Sequence, residues 1–256
     1  MAEKDQFIYG IHAVTEALAA GRELEKVLLR SGKSSSEQFG DLRRRLIEGM
    51  VPFQHVPVEK LNRITGKNHQ GVIAYISEIS YSEIEFVLPR VFEEGRTPLV
   101  LVLDGISDVR NFGAIARTAE CSGVDAIVLP FKGGARITAE GVKTSAGALH
   151  RIPVCRHPDL VQLISYLKGS GLRVFGATEK ADTAVYRVDL TVPACIVMGS
   201  EDKGISSPVM DVLDEQVSIP QVGSIGSLNV SVAAGMMIYE ALRQRSTGAI
   251  PGGSGG

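Results

Sequence analysis

Between residues 98 and 220 the chain carries six short apolar runs, "LVLVLD", "DAIVLP", "IPVCR", "LRVFGAT", "ACIVMGS" and "QVSIP", and most gaps between them have helical periodicity. Apolar runs with no polar alternation are strands buried on both faces, and the interleaved helices supply the cover. The pattern therefore predicts an α/β fold with a parallel sheet. In such sheets ligands sit beyond the carboxyl ends of the strands, so the residues just after each run are the ones to inspect.

A smaller pattern precedes this one. "YGIHAVTEALAAG" reads as a helix, "KVLLR" as a strand and "SEQFGDLRRRLIEG" as a helix. A strand near "FQHVP", a helix near "VEKLNRIT" and a strand at "GVIAYIS" follow. These predict a small α/β domain over residues 1–80, in which "GKSSS" is a surface loop. The stretch "YSEIEFVLPRVFEEGRTP" (81–98) carries prolines and acids with little periodicity, and residues 81–97 are expected to be a linker. The second domain is then 98–247, and the closing stretch 248–256, ending "PGGSGG", is expected to be a disordered tail.

The 256 residues are 44% hydrophobic and 22% charged, enough for a sizeable core. No apolar run reaches bilayer-spanning length, and "MAEKDQFIYG" lacks the pattern of a signal peptide. The expectation is a cytoplasmic protein with no membrane partner. Cys121, Cys155 and Cys195 lie far apart, with no spacing that suggests zinc or a disulfide framework, and all three read as reduced core thiols. A formal charge of −2 argues against coating nucleic acid by charge alone. Locally the balance differs: between 126 and 158, Lys132, Arg136, Lys143, Arg151 and Arg156 face one acid, Glu140. That excess suits a phosphate-bearing substrate, and a solvated loop would look similar. The run Arg43 to Arg45 has Asp41 and Glu48 nearby and reads as a solvated helix face.

Several polar residues stand after the strands. Asn111 opens a predicted helix and could be only its N-cap. Arg117 lies between Ile115, Ala116 and Ala119 in the same helix, so either a structural salt bridge or a functional site has to receive it. Glu201 follows "MGS" directly, as a first-turn acid or a site carboxylate. In "IPQVGSIGSLN" the glycines lead into a helix with neither the dinucleotide fingerprint nor the spacing of the lysine-containing phosphate loop. Ser227 and Asn229 could each cap that helix, but a cap requires only one of them.

Together, "NFGAIARTAECSGVDAIVLP", "IVMGSEDKGIS" and "IPQVGSIGSLNVSVAAGMMIYEAL" resemble, in order, the motifs of the SpoU (TrmH-type) RNA 2′-O-ribose methyltransferases of the SPOUT superfamily. The front segment, "YGIHAVTEAL" through "NHQGVIAYIS", is similar to that family's RNA-binding domain of the ribosomal-protein L30e type. The two-domain arrangement is most similar to bacterial enzymes that methylate a guanosine in large-subunit (23S) ribosomal RNA. One departure is that "DVRN" stands where many relatives carry a proline shortly before the asparagine.

The resemblance implies a deep trefoil knot, which pattern reading would not produce. It implies a bent pocket for S-adenosyl-L-methionine at the strand ends around Thr178, Gly199, Ile219 and Leu228, held chiefly by backbone contacts. Arg117 would contact the target hydroxyl and the adjacent phosphate, with Asn111, Glu201, Ser227 and Asn229 completing the catalytic site. A homodimer and no metal are also implied. The competing readings are an enzyme acting on transfer RNA or conferring antibiotic resistance through ribosomal RNA, and a catalytically silent RNA-binding assembly factor. A nicotinamide dehydrogenase lacks its glycine fingerprint after the first strand.

Overall fold

The structure is a computed structural model that describes residues 6–32 and 36–246. The expected tail at 248–256 and most of the "GKSSS" loop lie outside the described residues. Contacts divide the chain into one unit of residues 1–80 with 136–140 and a second of 81–135 with 141–256.

The first unit runs β1 (Phe7–Tyr9), α1 (Ile11–Ala19), β2 (Leu24–Arg30), α2 (Glu37–Glu48), β3 (Phe53–Val56), α3 (Val58–Ile64) and β4 (Val72–Ile76). Its sheet order is β1-β4-β2-β3, with β4 antiparallel to both neighbours and β2 parallel to β3. Val27 and Leu29 face Phe39, Leu42 and Leu46, whereas Leu28 and Ile73 face Leu61 across the sheet. Two buried sides explain why "KVLLR" carries no polar alternation. The short strand "FIY" is not separable by pattern from the helix it precedes. In α2, Asp41 binds Arg44 at 3.0 Å and Arg45 at 2.9 Å, in keeping with a solvated face.

The second unit continues α4 (Ile84–Glu93), β5 (Leu99–Asp104), α5 (Val109–Cys121), β6 (Ala126–Pro130), α6 (Ala139–Thr144), β7 (Val154–His157), α7 (Leu160–Gly169), β8 (Arg173–Ala177), β9 (Ala194–Gly199), α8 (Ser207–Met210), β10 (Glu215–Val217) and α9 (Val230–Arg245). The six apolar runs form one sheet of order β10-β8-β9-β5-β6-β7, every pair parallel. From β5 the chain builds outward through β6 and β7, then crosses to β8 and β9. The reversal places a topological switch point between β5 and β9, where α/β folds form their crevice.

Residues 81–97 are not a linker. They hold α4, whose Ile84, Leu88 and Val91 follow an i, i+4, i+7 spacing and are 2%, 2% and 3% exposed against the second unit's core. The prolines and acids that suggested a linker occupy the other positions of an amphipathic helix. The thiols divide as well. Cys155 and Cys195 are buried, but Cys121 is exposed at the end of α5, which corrects its reading as a core residue. Burial pushes the Cys155 thiol up to about 12 and raises Cys195 further, so neither is a nucleophile at neutral pH.

At the far end of α9, Arg245 donates to the carbonyls of Leu190, Thr97, Pro98 and Val192 at 2.7–3.0 Å. It pins the last helix to the amino-terminal side of the sheet, opposite the switch point.

Candidate active site

The loop after β5 turns sharply at Gly105 and reaches Asp108, whose side chain accepts from the N–H groups of Arg110 and Asn111. Asp108 is therefore the N-cap of α5. Asn111 is not the cap: as the third helical residue it keeps its amide free for other partners. In the same way the Asn229 side chain accepts from Ser231 and Val232 N–H and caps α9, so Ser227 is not needed there.

The stretch after β9 is fixed by close packing. Gly199 lies against Gly204 and Ile205 so tightly that a Cβ would overlap their backbone. Ser200 and Gly204 exchange backbone hydrogen bonds at 3.1 and 2.8 Å, closing a tight turn that holds Glu201 at its corner. Glu201 serves no helix as cap or first-turn acid, because α8 begins only at Ser207 with Ser206 as its N-cap. Its Oε1 accepts instead from Asn111 Nδ2 at 2.9 Å and Asn229 Nδ2 at 3.0 Å, and approaches Val230 N–H at 3.5 Å. Asn229 Nδ2 also donates to Asn111 Oδ1 at 3.1 Å.

Thus three strand-end segments, up to 118 positions apart in the chain, meet in one hydrogen-bonded cluster. It joins the first turns of α5 and α9 at the β5/β9 switch point. A carboxylate between two helix amino termini is favoured by both dipoles. Sequence reasoning overlooked the parts that hold this cluster: Asp108, Ser200, whose Oγ accepts from Lys203 N–H at 3.3 Å, and Asp104, whose carboxylate accepts from Ser206 N–H at 2.7 Å. The signal for Asp108 was present, as an Asx residue just ahead of an apolar helical pattern.

The other candidates do not join the cluster's hydrogen bonds. Arg117 is exposed, and among the described residues it makes no hydrogen bond or ion pair. It does not sit in an apolar environment: at 100° per residue, Ile115, Ala116 and Ala119 turn inward while Arg117 turns out. Thr178 follows β8 and its N–H donates to Val217 O at 2.9 Å, so it and Ile219 stand at the ends of neighbouring strands. Leu228 is half-buried and Ser227 is exposed. From Pro220 to Ser227 every residue is exposed, with Val222 and Ile225 at 106% and 80%. Among the described residues no hydrogen bond uses the backbone of 221–228. That segment offers a run of free N–H and C=O groups to whatever lies against it.

The basic excess does not gather at this cluster. Arg156 stacks on Tyr81 with 3.8 Å from guanidinium carbon to ring centroid, and Arg151 approaches Glu120 at 3.9 Å, near the amino end of β7. Among the described residues no group of His, Cys, Asp and Glu side chains could hold a metal ion.

A six-stranded parallel sheet with polar groups converging at its switch point defines an α/β protein of the enzyme class, and comparison with known proteins gives the family. Residues 98–239 match the SpoU rRNA methylase family, and residues 7–82 match the RNA 2′-O ribose methyltransferase substrate-binding domain. A protein of Staphylococcus saprophyticus named for the TrmH family of tRNA/rRNA methyltransferases is 35% identical over 93% of this chain and 96% of its own. Among solved structures, the SpoU methyltransferase AviRb from Streptomyces viridochromogenes, in complex with AdoMet, matches with a TM-score of 0.60 at 24% identity, covering 94% of this chain and 91% of its own. The A. aeolicus TrmH/SpoU tRNA modifying enzyme matches with a TM-score of 0.55 at 29% identity, over 63% of this chain and 84% of its own. The chain belongs to the SpoU/TrmH family of RNA methyltransferases.

Proposed function

We propose that the protein transfers a methyl group from S-adenosyl-L-methionine to the 2′-hydroxyl of a ribose, a guanosine of 23S ribosomal RNA, and does so in the cytoplasm. The observation that carries this reading is the convergence of Asn111, Glu201 and Asn229 at the switch point of a chain of this family. AviRb binds AdoMet in its crystal structure, and a related structure is an AdoMet-bound rRNA methyltransferase of Sinorhizobium meliloti.

The residues present fit such a donor. Gly199 lets the Gly204–Ile205 backbone close against the end of β9, Thr178 and Ile219 stand at the neighbouring strand ends, and the 219–228 segment, Leu228 included, supplies unengaged backbone groups with two exposed apolar side chains. When bound, the donor supplies an electrophilic sulfonium methyl. The ribose oxygen would form the new bond to that carbon, the carbon–sulfur electron pair would stay on sulfur, and the hydroxyl proton would pass to solvent water. The chain's task is alignment, which alone contributes roughly 7 to 11 kcal/mol in well-oriented reactions, and stabilisation of charge on the attacking oxygen.

Arg117 serves that second need as a fixed cation beside oxygen and phosphate, since a guanidinium does not ordinarily give up its proton. Glu201 orients Asn111 and Asn229 rather than taking the proton, because both amides already donate to it. Ser227, exposed beside the cluster, faces the reacting ribose. The 219–228 segment belongs to a knotted crossing that wraps the donor.

We assign residues 7–82 the task of holding RNA, on the strength of the substrate-binding match. Two copies form the active enzyme. Val232, Met236 and Tyr239, 47%, 45% and 64% exposed at i, i+4 and i+7 on α9, give an apolar stripe suited to a second copy.

The test pairs calorimetric titration of S-adenosylmethionine with transfer of a tritiated methyl to separated transfer and ribosomal RNAs, followed by mapping of the ribose methyl. Label confined to transfer RNA would overturn the ribosomal assignment, and absence of donor binding would leave a silent RNA-binding factor. Arg117→Ala is expected to abolish transfer while sparing donor affinity, and undiminished turnover would remove Arg117 from the mechanism.

A further inference from the structure

The first unit has a cavity of about 470 Å³ whose lining includes Arg30, Asn62, Lys67, Asn68, His69 and Gln70. Much of its wall is the Thr65–Gly71 loop between α3 and β4, and that loop is held from inside. His69 is 7% exposed, and its Nδ1 accepts from Gly71 N–H at 3.0 Å. A nitrogen that accepts there carries no proton, so Nε2 is the protonated one and donates to Asn62 Oδ1 at 2.9 Å. The Asn62 amide group keeps its own N–H donors, which have no partner among the described residues. Gln70 sits at φ +52°, and its Oε1 accepts from Ile11 N–H at 3.1 Å, tying the loop to the start of α1. Gly71, at φ +82°, lies so close to Arg30 that a Cβ would come within 3.1 Å of it. Left-handed backbone at a glutamine persists where the surroundings over-determine it, and such strain concentrates at binding sites.

What this loop displays is cationic. Lys67, Asn68 and Arg30 are all exposed, and among the described residues neither Lys67 nor Arg30 makes an ion pair. Lys67 Nζ stands 5.8 Å from the centroid of the half-buried Tyr9 ring. Lys26, two alternations along β2 from Arg30, shares its sheet face. Burial first, and then Lys60 and Arg136 nearby, hold the Lys26 ammonium below its ordinary range against an opposing pull from Glu25. A lysine beside an aromatic ring at the cavity's edge, a second unpaired cation and amide donors in the lining are elements with which proteins hold single-stranded nucleic acid. A double helix would offer no unstacked base to such a pocket.

Resting on the methyltransferase reading above, we infer that this cavity seats one unpaired nucleotide of the substrate RNA. Arg30 and Lys67 take its phosphates, the Tyr9 ring lies against its base, and the amides of Asn62 and Asn68 read the base edge. The seat lies wholly within the substrate-binding unit and is a binding site in its own right.

The experiment uses the full chain and a fluorescein-labelled, mixed-sequence single-stranded RNA, followed by anisotropy over a range of salt concentrations. The double variant Arg30→Ala/Lys67→Ala is expected to bind roughly tenfold more weakly, with the slope of log affinity against log salt reduced by about 0.7 for each phosphate no longer neutralised. Tyr9→Leu weakens binding without changing the slope, and Lys67→Arg restores it. Arg43→Ala, on the exposed side of α2, leaves both quantities unchanged. Unaltered affinity and slope in the double variant, with wild-type protein still binding RNA and transferring methyl groups, overturns the seat but not the methyltransferase. Wild-type protein that neither binds RNA nor transfers methyl groups overturns both.

Discussion

The Asn111–Glu201–Asn229 cluster is cross-linked by its own side chains, whereas the 220–227 stretch that leads into it is exposed throughout and, among the described residues, makes no hydrogen bond. The stretch runs almost directly into Asn229, yet the two are built on opposite principles. The cluster is preorganised: its amides and carboxylate already have their directions, so they can act on developing charge without reorganising. The loop has to be ordered by what it binds, and that ordering subtracts from affinity. On the proposed assignment, chemistry is then set by the scaffold, and donor affinity by a segment whose backbone still has bonds to make.

The largest effect is expected where cluster and scaffold are one. In Gly199→Ala the added Cβ meets the Gly204–Ile205 backbone, which cannot yield as a side-chain tip would, and displaces the turn carrying Glu201. A loss of roughly 3 kcal/mol or more, at the upper end of overpacking costs, should appear in denaturant melts together with loss of transfer. A variant of wild-type stability would break the claim that this turn is sterically fixed. Next comes Glu201→Ala, which removes the acceptor shared by both amides. Transfer should fall by about 10²–10³-fold, the scale of losing one preorganised group, while donor affinity measured by calorimetry changes little. A large drop in donor affinity would instead put Glu201 in the loop's half of the comparison.

Asn229→Ala tests both roles of one side chain. Its Oδ1 caps α9 through Ser231 and Val232, and its Nδ2 reaches Glu201 and Asn111. Loss of the cap should lower stability by about 1 kcal/mol, and loss of the amide should lower transfer beyond what that destabilisation explains. Asn229→Ser keeps a capping oxygen and loses the amide donor, so it should recover stability without recovering transfer.

How much of this could be read from the sequence follows from the same division. The six buried strands were legible because a continuous apolar run needs no partner to be recognised, and the strand-tip rule directed attention to Asn111, Glu201 and Asn229. Their meeting was expected from the family resemblance and not from local pattern. It depends on β8 and β9 crossing to the far side of β5, a pairing between segments distant in the chain that local pattern does not encode. The helix over Ile84–Glu93 was missed because Pro89 and the acids outweighed a sparse apolar spacing. Arg117 was misjudged in environment for a related reason: neighbours in sequence on a helix point in different directions, so apolar flanks at 115, 116 and 119 do not make an apolar surrounding.

The smallest effect sharpens the comparison from the loop side. Ile225 is 80% exposed, so Ile225→Val should leave stability within about 0.5 kcal/mol of wild type. On the proposed assignment the isoleucine becomes covered when the donor is held. Removing one methylene then costs about 0.8 kcal/mol of binding, a several-fold weaker affinity by calorimetry. Turnover at saturating donor should be nearly unchanged, because the cluster is untouched. The opposite pattern, with turnover lost and affinity kept, would mean that the loop takes part in alignment after the donor is bound. Scaffold and segment would then not divide chemistry from affinity.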